Sequence, residues 1–227
     1  MRLGVRGALA FLLLGCCLNA NADVFARHGK VFKVGANVTA IVAADFDEDG
    51  LLEIVTADRG RLFDPREQRP GNDQLSYLAA EAPLQYVRKA QLTAGFGPYA
   101  IAVENIDALR APDLIVANFL DTRNRDLTLL RYVGDGIFEP TQFSVPDEGI
   151  SYARMRDGDD VPLYTTPGLT SVAVRDFDRD GYRDALATGW ASDVLVYFPG
   201  DRTAYFKPPV LHRVAGGPRD IALGDFN

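Results

Sequence analysis

The sequence predicts an all-β protein, a partial β-propeller of four-stranded blades, with about three blades and the start of a fourth. Three observations carry this. Four stretches of the chain resemble one another, at 38–58, 99–119, 170–190 and 219–227. Within each full stretch, apolar residues alternate with polar or small ones on both sides of a tight acidic loop, the period of a half-buried strand. Helical patterning is scarce, whereas Gly, Asp and Pro recur at short intervals. A repeating unit of four short strands is the sequence signature of a propeller blade.

Each element follows from its residues. Residues 1–22 read as a secretory leader. Arg2 and Arg6 precede the apolar run Ala8–Leu14, and Ala20-Asn21-Ala22 is a small-x-small cleavage pattern. Leu13-Leu14-Gly15-Cys16 also fits a lipoprotein box, with anchoring at Cys16 as the alternative. The expected location is therefore extracellular or periplasmic, and the apolar run is too short to span a bilayer. Cleavage after Ala22 removes both cysteines, Cys16 and Cys17, so no disulfide can brace residues 23–227.

The repeat cores come next. The first strands include Ile101-Ala102-Val103 and Val172-Ala173-Val174, and the second strands Ile54-Val55, Leu114-Ile115-Val116 and Ala185-Leu186-Ala187. Third and fourth strands are expected at 74–80 and 84–92, at 127–133 and 137–145, and at 193–198 and 204–214. Gly134-Asp135-Gly136 and Pro199-Gly200-Asp201 supply the turns between the later pairs. Pro- and Gly-rich residues at about 59–72 and 146–168 read as insertions. The second carries Asp157, Asp159 and Asp160, a solvated acidic loop. The chain stops inside the fourth core, and the expectation is a piece of a longer ring.

Composition narrows the function. With 47% hydrophobic and 10% aromatic residues the chain can build packed cores, so disorder is excluded. The formal net charge of −7 becomes more negative once Arg2 and Arg6 are removed. An acidic chain lacks the basic footprint of a nucleic-acid binder and suits a cation.

The loops specify which cation. Asp45-Phe46-Asp47-Glu48-Asp49-Gly50-Leu51-Leu52-Glu53 and Asp176-Phe177-Asp178-Arg179-Asp180-Gly181-Tyr182-Arg183-Asp184 share one grammar: carboxylates at positions 1, 3, 5 and 9, glycine at 6. Calcium takes six to eight oxygens, and alternate residues of a curling loop can point at one centre. The candidate ligands are Asp45, Asp47, Asp49, the Leu51 carbonyl and Glu53, then Asp176, Asp178, Asp180, the Tyr182 carbonyl and Asp184. Four converging carboxylates repel unless a cation sits among them. Magnesium demands tighter octahedral geometry, and zinc prefers sulfur and nitrogen ligands. An EF-hand requires Glu at position 12, where this chain has Thr56 and Ala187. The second loop is degenerate: Asn105, Asp107 and Asp113 keep positions 1, 3 and 9, but Leu109 and Arg110 replace the Asp and Gly. Asp225 and Asn227 begin a fourth loop that is cut off before position 5. The apolar residue at position 2 (Phe46, Ile106, Phe177, Phe226) is expected to turn inward and anchor its loop.

Gly217-Pro218-Arg219-Asp220-Ile221-Ala222-Leu223-Gly224-Asp225-Phe226-Asn227, Gly97-Pro98-Tyr99-Ala100-Ile101-Ala102-Val103 and the two DxDxDG loops resemble the FG-GAP/VCBS repeat family, found also at the head of integrin α chains. Leu127–Phe138 is similar to the strand-turn-strand that precedes each new repeat of that family. The resemblance covers about residues 30–227 apart from the insertions. It implies calcium-bearing blades of a ring of about seven.

The expected function is a secreted, calcium-braced scaffold that binds an extracellular protein or glycan. The alternative is the propeller of a carbohydrate-active enzyme, a polysaccharide lyase or hydrolase. Against it, the segment has only His28 and His212 as histidines and contains no GxSxG, HExxH or phosphate-binding glycine loop.

Overall fold

Alternating burial builds the described part of the chain, residues 31–60, 72–109, 111–120, 125–146, 167–203 and 205–225 of a computed structural model. Residues 1–30, which include the expected leader, most of both expected insertions, Arg110, Phe226 and Asn227 lie outside the described residues. Phe32–Asn227 group into one unit.

Twelve strands and, among the described residues, no helix are present. The first sheet runs β1 (Val38–Ala44), β2 (Glu53–Asp58), β3 (Gln74–Ala82) and β4 (Gln85–Thr93). The second runs β5 (Pro98–Glu104), β6 (Asp113–Asn118), β7 (Leu127–Gly134) and β8 (Ile137–Phe143). The third runs β9 (Leu169–Arg175), β10 (Asp184–Gly189), β11 (Val194–Phe198) and β12 (Val210–Arg213). Each sheet is an antiparallel meander in chain order, and none closes on itself. The first strands stand side by side, β1 packing on β5 and β5 on β9.

Two cores lie between neighbouring sheets, and β6 divides them by its period of two. Leu114 and Val116 face the first sheet, joining Phe46, Val55, Ala57, Leu75 and Tyr77. Ile115 and Ala117 face the third, joining Leu169, Ala185, Ala187, Val196 and Phe198. Every residue of β6 is buried, so its continuous apolar run reports two covered faces.

The sheets are stitched together near the start of each first strand. The Thr39 hydroxyl donates to the Pro98 carbonyl at 2.9 Å, and the Thr170 hydroxyl donates to the Pro218 carbonyl at 3.2 Å. Pro218 thus meets the third sheet as Pro98 meets the first. A row of rings and guanidiniums runs along the same end: Arg59 over Tyr99, Tyr99 on Phe119, Phe119 on Trp190, and Arg219 over Trp190. The ring centroids are 5.5 and 5.8 Å apart, within the range of favourable aromatic pairs.

Two expectations are trimmed. The strand expected at 204–214 forms only at Val210–Arg213, with an isolated bridge between Gly200 and Phe206. Pro208 and Pro209 have no N–H to give the ladder, which is why pairing starts after them. The expected fourth core, at 219–227, forms no strand among its described residues.

Candidate metal centre

The three loops join the first and second strands of their sheets at one end of the meander. Their backbones match. Position 4 has positive φ in all three: 61° at Glu48, 57° at Ala108 and 64° at Arg179. Position 6 is Gly50 at 88° and Gly181 at 94°. A β-carbon at either glycine would touch nothing, so backbone conformation and not space calls for glycine there.

Position 9 closes each loop. Glu53, Asp113 and Asp184 open β2, β6 and β10 and are buried. Each accepts the amide of position 2 across the turn: Phe46 to Glu53 Oε2 at 2.9 Å, Ile106 to Asp113 Oδ2 at 3.0 Å, Phe177 to Asp184 Oδ2 at 2.8 Å. This clasp holds position 2 over the sheet. Phe46 is fully buried against Tyr77, Tyr132 and Phe138, and Ile106 packs on the second core. Phe177, expected to turn fully inward, is half-buried.

The other aspartates organise the turn. Asp45 accepts the amides of Asp49 and Gly50 at 3.1 and 3.0 Å, and Asp176 Oδ2 accepts that of Gly181 at 3.0 Å. Asp49 and Asp180 accept the amides of Leu51 and Tyr182, two residues on. The result is two acidic triads, Asp45 with Asp47 and Glu53, and Asp176 with Asp178 and Asp184. In each, one oxygen per residue lies within 4.8 Å of the others, so either triad could hold a metal ion. Asp49 and Asp180 stay outside these triads, and Lys207 reaches Asp180 at 3.8 Å.

The degenerate loop differs. The Asn105 amide group donates to the Leu109 carbonyl, Asp107 accepts the Leu109 amide at 3.0 Å, and no acidic triad forms there among the described residues. Asp225 is exposed, and Asn227 lies outside the described residues.

Buried oxygens without a partner occur in all three loops, at Glu53 Oε1, Asn105 Oδ1 and Asp176 Oδ1, so the loops differ in whether carboxylates surround the oxygen. A second amide reaches position 9 in two of the sheets: Tyr132 on β7 to Asp113 Oδ1 at 3.0 Å, and Gly200, in the turn just after β11, to Asp184 Oδ1 at 2.7 Å. At Glu53 the equivalent amide, Ala80 on β3, comes near enough to pull on the carboxyl but makes no full hydrogen bond to Oε1, which is buried without a partner. Asp176 Oδ1 is likewise buried and unpartnered. A buried acceptor with no donor costs about 1–3 kcal/mol, more if charged, and each of these two oxygens belongs to a triad that could hold a metal ion. Burial pushes the Glu53 carboxyl above its ordinary pKa. Asp47 and Asp49 push the same way, and the Phe46 and Ala80 amides oppose them without satisfying Oε1. Asp113 is also raised, by burial first, against the pull of the Ile106 and Tyr132 amides.

Two contacts at the loops escape a reading by motif. Tyr197 on β11 reaches Asp178, and Arg183 pairs with Glu104 at 3.4 Å. Tyr197 sits in an apolar strand pattern, which advertises packing and conceals its hydroxyl. No protein-family model matches this chain, and no curated protein sequence matches it.

Proposed function

We propose that this chain is a calcium-binding part of a secreted β-propeller of the FG-GAP/VCBS kind, serving as an extracellular scaffold for a protein or glycan ligand. Calcium occupies the loops at 45–53 and 176–184. The observation that carries the reading is the buried, unpartnered Oε1 of Glu53 within a triad of converging carboxylates, matched by Asp176 Oδ1 in the other loop. A hard dication with flexible coordination answers both the missing partner and the repulsion. Three meander sheets with adjacent first strands support the propeller.

The two sites are unequal. The first loop has a free glutamate oxygen and an additional acid, Glu48. In the other, both Asp184 oxygens are engaged and Lys207 competes for Asp180. The first loop therefore binds more tightly. With both cysteines in the leader, the ion substitutes for disulfides, contributing about 2.7 kcal/mol at a hundredfold excess over Kd.

Calorimetric titration of residues 23–227 with calcium tests this. Two sites are expected, with Asp47→Ala removing the tighter and Asp178→Ala the weaker. Titrations unchanged by both substitutions would overturn the assignment.

A further inference from the structure

We infer that Tyr197 is a positioning residue for the cation site at 176–184, its phenol hydroxyl fixing the position-3 aspartate from the third strand of the sheet. This rests on the calcium reading above. The hydroxyl of Tyr197 donates to Asp178 Oδ2 at 3.2 Å, while Asp178 Oδ1 accepts the Asp180 amide at 3.1 Å. Asp178 is thereby held from both sides, with one of its oxygens within 4.8 Å of oxygens of Asp176 and Asp184 in the triad. Tyr197 also stands against Asp184; burial first, then the charges of Asp184 and Asp178, push its phenol pKa up.

The strand register extends the pattern. Tyr197 pairs with Leu186 of β10, the third residue of that strand. The same place in the first sheet, opposite Val55 of β2, is Tyr77. In the second sheet, opposite Ile115 of β6, it is Leu129. Tyrosine thus accompanies the two loops that form acidic triads, and leucine the loop that does not. Packing alone does not separate them, since Tyr77 and Leu129 are both fully buried in their cores. Tyr77 packs against Phe46, the position-2 anchor of its own loop, with ring centroids 6.1 Å apart. Leu129 cannot donate a hydrogen bond, and in its loop Asp107 accepts the Leu109 amide.

Partners that orient a metal ligand from outside its coordination shell change affinity about 10–100-fold when removed. The test places Tyr197→Phe in an Asp47→Ala background, where calcium heat comes from the 176–184 loop alone. The expected result is a 10–100-fold weaker Kd for calcium, and a melting temperature that falls further behind the background as calcium is added. A merely structural hydroxyl shifts the melts equally with and without calcium, with Kd within about twofold; that result overturns the role of Tyr197 and leaves the calcium site standing. An Asp47→Ala background that binds no calcium at all overturns both. Leu129→Phe, made in the same background, controls for repacking at the equivalent place and is expected to leave Kd unchanged.

Discussion

Replacing Glu53 with Gln separates a calcium ligand from a purely structural clasp. The substitution keeps the shape and an oxygen for the Phe46 amide, now 2.9 Å from Glu53 Oε2. It removes a buried charge and puts an amide NH2 donor where Oε1 has no partner, in the triad with Asp45 and Asp47. Without calcium the variant is relieved of an unsatisfied buried oxygen, about 1–3 kcal/mol. At about 2–4 °C per kcal/mol for a chain of this size, it melts higher than the wild type in EDTA. With calcium the wild type gains about 2.7 kcal/mol at a hundredfold excess over Kd and about 4.1 at a thousandfold. The variant forgoes that gain at this loop. The order of the two melting curves therefore inverts between EDTA and saturating calcium. Paired melts by circular dichroism, in EDTA and in calcium, read this directly. A variant that melts lower by the same margin in both conditions refutes the reasoning, because Glu53 would then be only a clasp.

Two other perturbations have definite signs. Burial raises the Glu53 pKa from 4.5, so in metal-free protein its contribution is favourable below 4.5 and is lost as pH rises through the folded value. The stability gap between Glu53→Gln and wild type in EDTA should accordingly widen from acid to neutral pH; a constant gap in urea titrations across that range contradicts the shift. Phe46→Ala empties a fully buried site lined by Tyr77, Tyr132 and Phe138 and should lower stability by about 3–5 kcal/mol, with a chemical-denaturation loss under 1 kcal/mol counting against its anchoring role.

Much of the architecture is legible in residue order. Strand alternation such as Val172-Ala173-Val174, and Gly with Asp at the turns, are local signals that tertiary context left intact. The DxDxDG spacing likewise marks both triads. What escaped are facts made by pairing partners far away in sequence. Glu53, Asp113 and Asp184 read as outer ligands, yet each is also a clasp on a backbone amide, seven residues back. Asp58 looks like an ordinary strand end, but it is fully buried and accepts from Gly35, Ser76 and Thr56. Gly35 has to be glycine because a β-carbon there would lie 2.4 Å from the Asp58 carboxylate. Tyr197 was hidden because a half-apolar ring in a strand carries no motif, and its hydroxyl acquires meaning only from the register beside Leu186.

A crystal grown with calcium and measured for its anomalous signal examines the electrostatics of the acidic loops most directly. Two peaks per chain are expected, one touching Asp45, Asp47 and Glu53 Oε1 and the other touching Asp176, Asp178 and Asp184, and no peak at Asn105. Carboxylates turned out to solvent around water alone, at calcium concentrations well above physiological, would contradict it.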